Sequence, residues 1–68
     1  MHLFKKTRVV FKDNRVIEGL VLKCDLHMNT VVTKSIEYRL NKHSQKWEKR
    51  LIGLCIIRGN SIATISLI

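Results

Sequence analysis

The β-branched residues of this chain come in runs, and short polar segments separate the runs. Branching at Cβ restricts χ1 and suits a pleated surface better than a helix. Thr7 to Lys12 reads as a first strand, centred on Val9, Val10 and Phe11. Asp13 and Asn14 follow as a tight turn, since both residue types tolerate the left-handed conformation. Arg15 to Cys24 reads as a second strand and Thr30 to Leu40 as a third. Asn41 to Lys46 is polar and aperiodic, which makes it a loop. Trp47 to Ile57 reads as a fourth strand, Arg58-Gly59-Asn60 as a hairpin turn, and Ser61 to Ile68 as a fifth strand. The opening residues form at most a helical turn, being too few for an independent helix.

Gly19 and Gly53 interrupt the second and fourth strands. Glycine weakens a strand unless the strand bends there or another backbone comes close. The predicted fold is therefore all-β: five strongly bent antiparallel strands curled into a small open barrel, with little or no amino-terminal helix. Leu51 to Ile57 is apolar apart from Gly53, which predicts burial on both faces. Ile62 to Ile68 carries no charged side chain. Such an edge invites pairing with another chain. Sixty-eight residues make one small domain, 1–68, whose core alone gives marginal stability. Edge pairing between subunits would supply the deficit, and head-to-tail pairing that closes on itself gives a ring. Ile56, Ile57, Ile62, Thr64, Ile65 and Leu67 are the candidates for that contact.

Thirteen Lys and Arg stand against five Asp and Glu, a formal net charge of +8. That balance favours a polyanionic partner, nucleic acid before an anionic membrane, over a merely solvated surface. No apolar run approaches the about twenty residues of a membrane span. The start, Met1 to Lys6, lacks the apolar stretch of a secretory signal, so an intracellular chain is expected. Cys24 and Cys55 lie in or at the end of apolar runs and read as reduced, buried thiols. Cys24 and His27 have a C-x-x-H spacing, but no second pair repeats it, so no metal is expected. There is no nucleophile-and-base motif, carboxylate pair or phosphate-cradling glycine loop, so no enzyme and no cofactor are expected.

Two segments remain, Asp25-Leu26-His27-Met28-Asn29 and Ile57-Arg58-Gly59-Asn60. Each follows an apolar run. The stretch Val9 to Arg39, with Gly19 and the first of these turns, resembles the first motif of the Sm and Sm-like RNA-binding proteins. Leu51 to Leu67, with Arg58-Gly59, resembles the second. Two motifs in the right order, joined by a polar loop, cover nearly the whole chain. Glu37-Tyr38-Arg39 and the run Glu48 to Leu54 resemble the B-type spliceosomal members most. The amino-terminal helix and the proline- or Arg-Gly-rich tail of that type have no counterpart, so the chain resembles a reduced core.

The resemblance implies a pocket for one unstacked base of a uridine-rich RNA. His27 and Arg58 would supply its stacking faces, and Asn29 would read the uracil edge. Asp25 would orient Asn29, and Gly59 would let the chain bend so that Arg58 points inward. The partners implied are other Sm-type subunits in a seven-membered ring, and a small nuclear RNA. The setting implied is the nucleus, with assembly in the cytoplasm as an added step, and the role is scaffolding a particle for pre-mRNA splicing. A decay or processing ring, a homomeric ring, a basic ribosomal barrel and a peptide-binding barrel are the alternatives. Taken singly, Met28 reads as core, Asn29 as a turn cap, and Trp47 and Tyr38 as packing beside the barrel. The lysines Lys5, Lys6, Lys12, Lys42, Lys46 and Lys49 read as a diffuse field for phosphates.

Overall fold

A computed structural model describes residues 3–68. Five strands form one antiparallel sheet: β1 (Lys6–Phe11), β2 (Val16–Cys24), β3 (Thr30–Asn41), β4 (Lys46–Ile57) and β5 (Ile62–Leu67). Their spatial order is β4-β3-β2-β1-β5. The first three connections are hairpins. At the first, Asn14 takes the positive φ that its amide side chain tolerates, while Asp13 accepts the Arg15 N–H. Between β3 and β4 the turn is shorter than its polarity predicts and spans only residues 42–45. The Asn41 carboxamide oxygen accepts the N–H groups of His43 and Ser44, and the Gln45 N–H donates back to the Asn41 carbonyl.

The fourth connection is not the hairpin that Arg58-Gly59-Asn60 predicts. Gly59–Ser61 form one turn of 3-10 helix, and β5 leaves β4 to pair with β1 on the far side of the sheet. A local turn signal cannot tell these outcomes apart. The choice is made by distant pairing, in which Val9 meets Ile65 and Thr7 meets Leu67. The result is an open barrel whose two edges, β4 and β5, both belong to this chain.

The bend has identifiable causes. Lys34 in β3 and Gly53 in β4 both have positive φ, and the β3–β4 register shifts on either side of Ser35. On β3 the buried positions switch from Val32 to Ser35 and Glu37, skipping one residue. Paired bulges of this kind kink both strands while keeping one face inward. The Ser35 hydroxyl donates to the Gly53 carbonyl at 2.6 Å and pins the kink. At Gly19 the reason is crowding: a Cβ there would meet the Ser35 Cβ at 3.1 Å.

Val9, Phe11, Ile17, Val21, Val32 and Ile57 fill the core, with Cys55, Ile62 and Ile65 packed against it. The expected two-sided burial of Leu51 to Ile57 is not found. Leu51, Leu54 and Ile56 are exposed, Ile56 to 73%. Among the described residues nothing covers the outer side of β4, whereas Ile57, at 2% exposure, is core. Ile57 therefore does not offer its side chain to a neighbour; of the six predicted contact residues, Ile56, Thr64 and Leu67 are exposed and Ile62 and Ile65 half-buried. Leu3 and Phe4 form a turn, held by the Phe4 N–H on the Val21 carbonyl at 2.6 Å, and no α-helix occurs among the described residues. Met1 and His2 of the expected helical turn lie outside them. Both thiols are free and half-buried rather than buried.

Candidate functional site

Asp25 builds the first turn. One of its carboxylate oxygens accepts the backbone N–H groups of His27 at 2.8 Å and Asn29 at 2.9 Å. The other accepts the Asn29 side-chain N–H at 3.0 Å. The Met28 N–H donates to the Asp25 carbonyl, and Met28 itself has φ of +64°. An unbranched side chain accepts that conformation at a cost a β-branched one would exceed. Partial desolvation pushes the Asp25 carboxyl up, but the donors from Asn29 and His27 outweigh it, and the group lies below its ordinary value. Met28 is exposed, not core as its residue type predicts, because this geometry turns it out of the sheet.

The second turn touches the first. The Gly59 N–H donates to the Asn29 side-chain oxygen at 2.7 Å, across thirty residues of sequence. Asn29 is thus clamped at both ends of its amide. The Asp25 carboxylate only accepts and the Gly59 N–H only donates, so the orientation of the amide is fixed. Gly59 sits against the His27 carbonyl so closely that a Cβ would strike it, and would lie 2.9 Å from the Met28 carbonyl carbon. Gly59 opens the 3-10 turn, and its bare Cα is required by packing and not by backbone conformation. It has no positive φ among those observed; it is needed because any side chain would push the two turns apart.

His27, Met28, Asn29, Arg58, Gly59 and Asn60 line one shallow cleft. The structure thus brings together His27, Asn29, Arg58 and Gly59, with Asp25 behind them. Asn60, which the sequence marked only as part of the second turn, is an addition to the lining. Among the described residues Arg58 has no acidic partner within ion-pair distance. One N–H of Asn29 and one lone pair of its oxygen also remain uncommitted, so the cleft offers a cation, an imidazole and a matched donor and acceptor. Among the described residues no group of three or more His, Cys, Asp or Glu could hold a metal. Cys24 lies 3.7 Å from the Thr30 hydroxyl, which donates to the Met28 carbonyl at 2.8 Å.

A second charged cluster was not foreseen. Glu37 is buried on the inner face, and Arg15, Arg39 and Arg50 approach its carboxylate at 3.4, 3.7 and 3.4 Å. Arg15 also lies over the Phe11 ring, 4.9 Å from its centroid. These pairings are spent within the fold at the open mouth of the barrel.

The LSM domain model matches residues 1–67. The chain belongs to the LSM-domain family. Like the two turns, its relatives point to the Sm branch. The chain is 38% identical over 64 residues to small nuclear ribonucleoprotein-associated protein B of Dictyostelium discoideum, a match covering 90% of this chain and 23% of that protein. It is 36% identical over 64 residues to a probable small nuclear ribonucleoprotein G of Medicago sativa, covering 94% of this chain and 72% of that one. The LSM chain thus spans about a quarter of the length of the Dictyostelium B protein. Two solved structures share the fold: a heptameric archaeal Sm protein at 24% identity, TM-score 0.76, covering 97% and 88% of the two chains, and a chain of the NatC complex bound to CoA at 22% identity, TM-score 0.79, covering 96% and 77%.

Proposed function

We propose that this LSM chain is a core subunit of a heteromeric Sm ring and that its cleft holds one uridine of a small nuclear RNA. The single observation that carries the reading is the Gly59 N–H bond to Asn29, which joins the two turns into one cleft. A base entering there meets the His27 imidazole and the Arg58 guanidinium as stacking faces. Uracil presents an N3–H beside a carbonyl, which matches the free acceptor and donor of Asn29. Cytosine presents an unprotonated N3 and is rejected, because donor and acceptor are reversed. The chain acts as one RNA-binding domain over residues 1–68 and does no catalysis. Its relatives named as small nuclear ribonucleoproteins B and G support the splicing particle over a decay ring and a nuclear location; ring assembly in the cytoplasm is a further part of the proposal.

His27→Ala with Arg58→Ala removes both faces and keeps the Asn29 clamp. That variant should enter the ring normally and lose most of its oligouridine affinity, keeping only the part of the preference over oligocytidine that Asn29 reads without a stacked base. Adding Asn29→Ala should abolish what remains. Unchanged discrimination in the triple variant overturns the cleft assignment.

A further inference from the structure

The β3–β4 hairpin carries a patch that the turn cleft does not use. Leu40 stands directly opposite Trp47, and Tyr38 opposite Lys49. Residues two apart on a strand share a face, so these four lie together on one side of the hairpin. Trp47 is 58% exposed, in place of the packing beside the barrel that its residue type predicts. Leu40 is exposed behind it. A large aromatic left bare on the surface marks a contact site when its surroundings fit a partner.

Charge identifies the partner. Lys42, Lys46 and Lys49 sit around the end of this hairpin, whereas Arg39 and Arg50 lie on the face away from Trp47 and pair there with Glu37. Glu48 alternates to the face opposite Trp47, where it accepts the Asn41 amide at 3.2 Å. A flat apolar ring set among cations fits single-stranded nucleic acid: a base stacks on the indole and its phosphate meets an ammonium. Lys49 is two residues from Trp47 on the same face, roughly 6.6 Å along the strand, within reach of that phosphate.

The patch is separate from the turn cleft. The Asp25–Asn29 turn precedes β3 and the hairpin tip follows it, so the twelve residues of β3 lie between them. Straight, those residues would span roughly 40 Å; the kink at Ser35 shortens the distance, but the two sites stay at opposite ends of β3, on either side of that kink. We propose that Trp47 is a stacking platform for a second single-stranded RNA nucleotide, with Lys49 on its phosphate. The proposal rests on the RNA-binding reading above but on different residues.

Trp47 is the only tryptophan in the sequence, so 5-fluorotryptophan in this chain gives one fluorine signal even inside a ring of unlabelled subunits. A uridine tract that fills only the clefts should leave the signal in place. A longer single strand carrying the same tract should shift it. Trp47→Ala should weaken the longer RNA by about tenfold and leave the short tract unaffected, and Trp47→Phe should keep most of the affinity. Longer RNA that binds with Trp47 silent, or equal affinity in the alanine variant, overturns the proposal. So does a signal that moves on ring assembly and not on RNA, which would make the hairpin a subunit contact. His27→Ala/Asn29→Ala/Arg58→Ala separates the two readings. If it keeps uridine preference the cleft assignment fails, while an RNA-dependent shift of Trp47 in the same variant leaves the hairpin assignment standing.

Discussion

Asn29 does three jobs with one amide: it is held by Asp25, it holds Gly59, and it keeps one donor and one acceptor for a ligand. Gly59 makes this possible only by lacking a side chain. In Gly59→Ala the new methyl meets the His27 carbonyl, and the turns must separate. Overpacking of this kind costs about 2 kcal/mol, read as a lower denaturant midpoint, and oligouridine affinity should drop with it. Asp25 adds a pH dependence. Its carboxyl is lowered in the fold, so the stability it lends is complete above its ordinary value of 3.8 and is lost as pH falls through the lower folded value. The His27 and Asn29 amide protons should stay protected from exchange at pH 5 and lose protection only well into acid. Loss of protection between pH 7 and 5 would show that another group holds the turn.

At the scale of the elements, β4 is the informative strand because one face is core and the other is bare. Ile57 points into the core of its own chain, whereas Ile56, one residue away, points out of it. Ile57→Ala should cost about 3 kcal/mol of folding stability. Ile56→Asp should leave the circular dichroism of the chain intact and block its association with neighbouring subunits, seen as a shift in mass by light scattering. This also explains what was legible in the sequence. The strands were, because β-branched runs and turn residues act locally. The apolar run Leu51 to Ile57 was read as buried on both faces and is buried on one, because sequence patterning cannot say whether the described chain supplies a second layer over β4. The path of β5 was not legible, since Arg58-Gly59-Asn60 satisfies a hairpin as well as the 3-10 turn that forms. His27, Asn29 and Arg58 were legible as a set. The clamp between Asn29 and Gly59 was not, because it depends on which atoms meet across thirty residues.

On the scale of the whole molecule, two edges and a surplus of eight positive charges must be reconciled. In the proposed ring, like charges repel as subunits gather, so edge pairing would work against the same field that would draw in RNA. Edge hydrogen bonds and the apolar outer side of β4 act at contact range, while the field acts over a Debye length of about 8 Å at physiological salt. Salt should therefore separate the two: raising it weakens RNA binding and leaves subunit pairing intact or stronger. For single strands the logarithm of affinity falls with the logarithm of salt at roughly 0.7 per phosphate neutralised. Lys42→Gln, Lys46→Gln and Lys49→Gln together should flatten that slope by up to about two units and leave the choice of uridine over cytidine unchanged, because phosphate contacts position the strand and base contacts specify it. His27→Ala, Asn29→Ala and Arg58→Ala together should do the reverse, erasing the choice while most of the slope survives. If the lysine variants instead lost uridine selectivity, the base would be read at the hairpin, and the cleft between the two turns would be only a joint in the fold.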